Sequence, residues 1–355
     1  MKLVGNEEIQ KQLVVAMYSC ISENRPLPHS LLCGAAGCGK TTSARFIAKA
    51  MKSTFINIIP NSLNDRDSVI NLIKSLPKYG YDKYGDKIEG TKINYPIVFI
   101  DEIHRIPLTG QEILGILMEE WSIPIDNRKA VFNPYDKFSN TGLGKTGDIS
   151  RTRWSPQFTL LGATTDDGLL SKPFKDRFKV KFLFNTYTFE ESVEIAKVHA
   201  EDFKLVLHDA AAREIAKRGR GVPRIIVKLL ERCKDVALAS QSPEITKEVA
   251  NVAFALYGID TLGLNKIDIK LLQVLYEHDN DAIGLENLSI MLNESKKTIN
   301  DTTEPFLIQQ GLVTRTSRGR KLTEKGKNYL VMNGHIQIPD AEEWVDIPAD
   351  YKRRL

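Results

Sequence analysis

Three short, almost uninterrupted apolar runs mark the first half of the chain: "HSLLCG" (29–34), "PIVFID" (96–101) and "FTLLGATT" (158–165). Runs of this length that end in small or polar residues read as parallel strands buried on both faces. They alternate with helical patterns up to about residue 184, which predicts an α/β layer structure on a parallel sheet, with ligands at the strand ends. From about 188 to 257 the apolar positions fall at three- and four-residue spacing ("FEESVEIAKVHAEDF", "PRIIVKLLERCKDVALAS", "TKEVANVAFALYG"), which predicts a small all-helical domain. After "GIDTLGLN" the pattern predicts helices over 266–277, 284–292 and 295–309. Two short strands follow in "LVTRTSRGRKLT", around a basic turn. Three helices and a basic hairpin form a winged helix. Segments 78–95 and 127–153 are Gly-rich and polar, spotted with tyrosine or basic residues, and read as surface insertions. The expected domains are therefore 1–184, 185–260 and 261–335, with a tail over 336–355.

Composition agrees with several domains, because 355 residues exceed one ordinary core. Hydrophobic residues at 42% and charged residues at 26% are globular proportions and exclude a disordered chain. Forty-nine Lys and Arg against 45 Asp and Glu leave only +4, so any nucleic-acid surface must be a local patch. Residues 311–330 supply one: Arg315, Arg318, Arg320, Lys321, Lys325 and Lys327 against Glu324. Cations interleaved with Gly and Thr on a wing suit phosphate contact without sequence readout, and Arg315, Arg318, Arg320 and Lys321 are the expected DNA contacts. The bland alternative is a solvated face. Cys20, Cys33, Cys38 and Cys233 have no metal-site spacing and need no bridging, which fits a reducing cytoplasm. No apolar run approaches a membrane span, and "MKLVGNEEIQ" lacks a signal-peptide core.

The strongest chemical signal is "GAAGCGKTT", Gly34 to Thr42, placed between the strand "SLLC" and the helix "TTSARFIAKAM". That context is the one the P-loop pattern requires. Gly34, Gly37 and Gly39 let backbone N–H groups point at phosphate oxygens, at the positive end of the following helix. Lys40 adds a point charge for the β and γ phosphates, and Thr41 offers a hydroxyl to Mg²⁺. Asp101 ends a buried strand in "PIVFIDEIH" and is placed to hold the magnesium shell. Glu102 can orient and deprotonate an attacking water. Thr164 and Thr165 end the third strand, where a hydroxyl could touch the γ-phosphate, although threonines there commonly cap the next turn. In "KPFKDRF" (172–178), Arg177 sits beside Asp176, and the plain expectation is an ion pair within its own chain.

In order, the chain carries GxxGxGKTT, DEIHRI, GATT, DRF, G-x-PRI, EPFLIQQG and RTSRGR. With these strings it resembles the RuvB family, the AAA+ motors that drive branch migration of Holliday junctions. The resemblance covers nearly the whole chain apart from the two insertions and the last twenty-odd residues. It implies an AAA+ core, a helical lid and a winged helix, acting with ATP and Mg²⁺ as a hexameric DNA translocase on four-way junctions. It also implies that Gly34, Gly37, Cys38, Gly39, Lys40, Thr41 and Thr42 cradle the phosphates. Thr41 and Asp101 would hold the metal, Glu102 would be the hydrolytic acid, and Thr165 a sensor. Pro223 and Arg224 in "GVPRII" would form a second sensor, against the alternative of a surface cation after a proline. Tyr187 matches a tyrosine that lies against adenine, and a plain core tyrosine is an equal reading. Leu3 and Val4 in "LVGN" look like the adenine-side segment. Arg177 would be an arginine finger serving the neighbouring subunit's γ-phosphate.

The departures are local. "AAGC" stands where the family usually has two prolines and a leucine or similar residue, and Asp166 stands where an arginine follows the threonines. The family's partner RuvA docks on a hairpin before the sensor strand. Here that region is the basic insertion "NRKAVFNPYDKFSNTGLGKTGDISRTR", so dependence on an ordinary RuvA is not expected. Two rival functions share the nucleotide site. A clamp-loader-like ATP switch is disfavoured by the winged domain, and an ATP-gated DNA-binding regulator by the presence of Glu102 and Arg177.

Overall fold

The computed structural model describes residues 3–82, 87–124, 139–143, 149–242, 244–278 and 281–336. Parts of both insertions and nearly all of the expected tail thus lie outside the described residues. The chain divides into two compact units, Met1–Leu205 with Gly221–Leu230, and Val206–Arg220 with Glu231–Leu355.

The first unit runs α1 (Glu7–Ser22), β1 (Ser30–Gly34), α2 (Lys40–Ala50), β2 (Phe55–Ile58), α3 (Arg66–Ser75), β3 (Ile97–Ile100) and α4 (Leu108–Glu120). It continues with β4 (Ser122–Pro124), β5 (Ser139–Leu143), β6 (Ile149–Trp154), β7 (Thr159–Thr164), α5 (Lys172–Lys175), β8 (Val180–Phe184) and α6 (Phe189–Asp202). Five strands form a parallel sheet in the order β2-β3-β7-β1-β8. Successive side chains of a strand point to opposite faces, and both faces here are covered. Leu31, Val98, Ile100 and Leu160 pack under α3 and α4 with Leu72, Leu114 and Leu117. Leu32, Ile97, Phe99 and Leu161 pack under α1 and α2 with Leu13 and Ile47. This double burial is why the strands read as continuous apolar runs.

The 127–153 stretch is not wholly irregular, since β5 and β6 pair antiparallel with each other and β6 pairs with β4. Nor is 78–95 simply a surface loop. Ile93 and Tyr95 are buried, the Tyr95 hydroxyl donates to the Asn24 carbonyl at 2.8 Å, and the Ile93 N–H donates to Asn24 Oδ1 at 3.2 Å.

The second unit contains β9 (Val206–Leu207), α7 (Asp209–Arg218), the second half of α8 (Pro223–Ala239), whose first half belongs to the first unit, β10 (Glu244–Ile245) and α9 (Lys247–Leu256). Next come α10 (Lys266–Glu277), α11 (Leu285–Leu292), α12 (Lys296–Thr298), a π-helical turn over Ile299–Thr303 and α13 (Glu304–Gln309). The antiparallel hairpin of β11 (Val313–Thr316) and β12 (Gly319–Leu322) precedes α14 (Glu324–Met332). α10 opens with a capping box, Asn265 accepting from the Asp268 N–H and Asp268 from the Asn265 N–H. Leu271, Leu275, Leu288, Ile299, Leu307 and Val313 close a core between the helices and the hairpin. This is the winged helix predicted from the sequence.

Candidate nucleotide site and DNA-facing wing

The P-loop turn joins the C-terminal end of β1 to α2, and its shape rests on two glycines with left-handed backbone. Gly37 (φ +82°) lies against Arg224 and Val222, so a Cβ there would sit 3.0 Å from each. Gly39 (φ +89°) is the residue that opens α2. Lys40 is buried, and its ammonium donates to the Gly34 and Ala35 carbonyls at 2.6 and 2.9 Å. Burial pushes its pKa down, while Glu102, Cys38 and Asp101 pull it back up. A phosphate entering the cradle replaces neutral carbonyls with a full negative charge and stabilises the ammonium.

The acids lie on the adjacent strands. Because β7 sits between β3 and β1, the ends of all three converge. Thr41 Oγ1 donates to Asp101 Oδ2 at 3.3 Å, and the Glu102 N–H donates to Asp101 Oδ1 at 3.1 Å. A hydroxyl beside a carboxylate is a hard-oxygen pair that suits Mg²⁺. Glu102 itself has φ +50°, a left-handed conformation that a non-glycine residue adopts at a cost of about 1 kcal/mol. That turn directs its carboxylate to the Thr165 hydroxyl, which donates to Oε2 at 3.0 Å. Strand alternation separates the two threonines, Thr164 being fully buried and Thr165 exposed.

Arg224 begins α8 beside Gly37 and is exposed, which brings the second-sensor candidate to the edge of the P-loop. Tyr187 is half-buried. Its hydroxyl donates to the Cys38 carbonyl at 3.3 Å, and its N–H donates to Gly221 at 2.9 Å. Burial raises its phenol pKa, with Asn6 hydrogen-bonded to it. Leu3 and Val4 border a cleft with Glu7, Glu190, Glu191 and Glu194. The next residue, Gly5, lies against the ring of Tyr187, whose hydroxyl in turn lies against Gly39 of the P-loop.

Arg177 pairs with a residue of its own chain, but not with its neighbour Asp176. Its Nη1 donates to the Pro173 carbonyl at 2.6 Å and its Nη2 lies 3.2 Å from Glu119 Oε2. The stem packs over Gly115 of α4, and the buried Nε has no hydrogen-bond partner among the described residues.

On the wing the four expected DNA contacts separate into two kinds. Glu304 is fully buried and accepts from Arg320 Nε at 2.7 Å and Nη2 at 3.0 Å, and from Arg315 Nη2 at 2.7 Å. Burial alone would raise this carboxyl, but the hydrogen bonds from Arg320 and Arg315 outweigh it and hold its pKa below the usual value. Arg320, with a side chain only 12% exposed, is committed to Glu304 and offers less surface to a phosphate than the other three. Arg315 is also tied to Asn300 at 2.8 Å but keeps a 52% exposed side chain. Arg318 is exposed at the hairpin tip, and Lys321 is partly exposed.

Three residues of these sites escaped the sequence reading. His104 stood unused inside "DEIHR", and Glu304 inside "EPFLIQQG". Glu119 carries no local signal, because only the fold brings it to Arg177.

Comparison with known proteins assigns residues 30–331. Residues 30–186 match the AAA model (ATPase family associated with various cellular activities), 187–260 the RuvB AAA lid domain, and 261–331 the RuvB C-terminal winged helix domain. A Holliday junction branch migration complex subunit RuvB from Pseudothermotoga lettingae is 36% identical over 321 residues, which is 90% of this chain and 84% of the relative. The protein of the same name from the Wolbachia of Brugia malayi is 33% identical over 328 residues, covering 92% and 90%. The solved Thermotoga maritima RuvB Holliday junction branch migration motor aligns with a TM-score of 0.71 at 29% identity, covering 95% of this chain and 96% of that one.

Proposed function

The chain belongs to the RuvB family, and from that membership we infer that it is an ATP-hydrolysing motor that drives branch migration of Holliday junctions. One observation carries the residue assignments: the functional groups on three adjacent strand ends are held by partners that a nucleotide would replace. Lys40 is held by carbonyls, Thr41 by Asp101, and Glu102 by Thr165. In this reading Lys40 and the N–H groups of Gly37 to Thr42 bind phosphate, and Glu102 takes the proton of the attacking water. Thr165 and Arg224 read the γ-phosphate. Thr41 and Asp101 would hold Mg²⁺, which would neutralise phosphate charge. Arg177 serves the site of a second copy in a hexameric ring, and Arg315, Arg318 and Lys321 grip duplex phosphates.

Tyr187 braces the P-loop through Cys38 and can still present its ring to a base, with Leu3 and Val4 on the adenine side next to Gly5, which packs on that ring. The four cysteines are free and buried, in keeping with a reducing cytoplasm. A RuvA-like junction binder is a possible loading partner, and its omission from the assay tests that dependence. The decisive measurement is ATP-dependent dissociation of a labelled four-way junction, beside a linear and a forked duplex, with Lys40→Ala as the control. Preferential dissociation of the junction is expected. ATP turnover with no strand displacement on any substrate would favour the clamp-loader-like switch.

A further inference from the structure

We propose that His104 is a positioning residue for ATP hydrolysis, holding the Glu102 carboxylate in place through its Nδ1 atom and Thr164. The inference rests on the reading of Glu102 as the base. His104 lies on the short 3₁₀ turn Ile103–Arg105 that follows Glu102, and its side chain is 12% exposed. Its Nδ1 is 2.8 Å from Thr164 Oγ1 and 3.4 Å from Glu102 Oε2. Thr164 is fully buried and already accepts the Asp166 N–H at 3.0 Å, so its oxygen is fixed by the end of β7.

The chemistry of the three groups assigns the proton. A carboxylate only accepts, and a bare imidazole nitrogen facing it would repel it, which favours the tautomer with hydrogen on Nδ1, directed to the Thr164 oxygen and 3.4 Å from Glu102. In that tautomer Glu102 accepts from Thr165 on one side and has the Nδ1–H of His104 3.4 Å away on the other, both anchored at the end of β7. The arrangement divides the labour. Thr165 is exposed and is free to turn to a phosphate, whereas His104 and Thr164 are enclosed. When Thr165 turns away, His104 keeps the carboxylate from swinging out of line, and Glu102 remains aimed from its left-handed turn at the site of attack.

Variants of the full-length chain test this. His104→Ala is expected to lower kcat about 10- to 100-fold, with ATP affinity unchanged. Asn places its amide near the position of Nδ1 and Gln near that of Nε2, so His104→Asn should recover most of the turnover and His104→Gln should not. Thr164→Val should lower kcat similarly, and combining it with His104→Ala should add little. If the Ala variant fails to fold, the Asn and Gln pair gives the answer. Equal turnover in Asn and Gln, normal turnover in Ala, or loss of ATP affinity in step with kcat would each overturn the proposal. Glu102→Gln is run alongside. Normal hydrolysis there overturns the base assignment and this inference with it, whereas a dead Glu102→Gln beside a normal His104→Ala overturns this inference alone.

Discussion

Arg177 Nη2 lies 3.2 Å from Glu119 Oε2, so the arginine passes over the adjacent Asp176 to reach a carboxylate on α4. The pair is loosely built. Glu119 is 59% exposed, and partly exposed ion pairs contribute about 0–1 kcal/mol. Detaching the guanidinium also gives up the Nη1 bond to the Pro173 carbonyl, while Nε has no partner among the described residues to lose. A guanidinium held by an exposed counter-ion can be drawn off by a phosphate, which offers a full charge and a matching fork.

Arg177→Ala should bind ATP nearly normally, because the cradle around Lys40 is untouched, and should hydrolyse it about 1,000-fold more slowly or worse. Mixed with Lys40→Ala, which has a dead site and an intact finger, it should regain part of the activity that each lacks alone. Subunit exchange is checked first by energy transfer between labelled chains. With exchange established, absence of recovery would return Arg177 to a brace between α4 and α5.

Lys40→Ala should abolish nucleotide binding, whereas Glu102→Gln should retain ATP and stop hydrolysis. The first removes the charge that meets phosphate, and the second removes only the proton acceptor. Equilibrium binding of a fluorescent ATP analogue beside single-turnover hydrolysis separates the two. Wild-type turnover in Glu102→Gln would strike it from the catalytic set.

The catalytic strands were legible because β1, β3 and β7 are buried on both faces and end in chemically distinct residues. β8 was not read. As the sheet's edge strand it buries Phe182 and Phe184 but exposes Leu183, so its pattern is that of a half-covered strand. The nucleotide cradle was readable for a related reason: Gly34 to Thr42 is contiguous, and its chemistry depends on local backbone shape. The pairings that decide the state of each group are long-range. Nothing near Arg177 announces Glu119, and nothing in "RTSRGR" distinguishes Arg318 from Arg320. Arg318 lies in the turn between β11 and β12, outside the ladder, whereas Arg320 lies in β12 opposite Arg315 and reaches Glu304 with it.

That difference separates the effects of two wing mutations. Arg318→Ala should leave thermal stability unchanged, weaken duplex binding similarly across sequences and reduce the salt slope by about 1. Arg320→Ala leaves a buried carboxylate short of a partner and should cost about 3 kcal/mol in stability, seen in chemical denaturation before any effect on DNA. Equal stability losses in the two variants would mean that the Glu304 cluster does not support the wing.

The last expectation concerns pH and the packing between β7 and α4, which carries Glu119. His29 is buried, accepts the Leu160 N–H at Nδ1 (2.9 Å) and lies 3.2 Å from the Met118 carbonyl through Nε2, so it links β7 to α4 one residue before Glu119. Burial pushes its pKa down to about 4, against the weaker pull of the Met118 carbonyl and with Lys179 adding to the drop. Between pH 6.5 and about 4 the unfolded chain takes up a proton that the folded one refuses. This contribution is therefore greatest above pH 6.5 and falls as pH drops through that window, by about 3 kcal/mol in all. His29→Gln can keep a donor for Met118 and does not titrate, so it should be less stable than wild type at pH 7.5 while showing a shallower loss toward pH 4.5. Carboxylates contribute to both chains alike, and the informative quantity is the difference between the two urea-denaturation profiles. Parallel profiles would mean that His29 protonates in the folded state as readily as in the unfolded one. The link from β7 to α4 would then rest on the apolar packing of Trp121 and Phe158 around the ring.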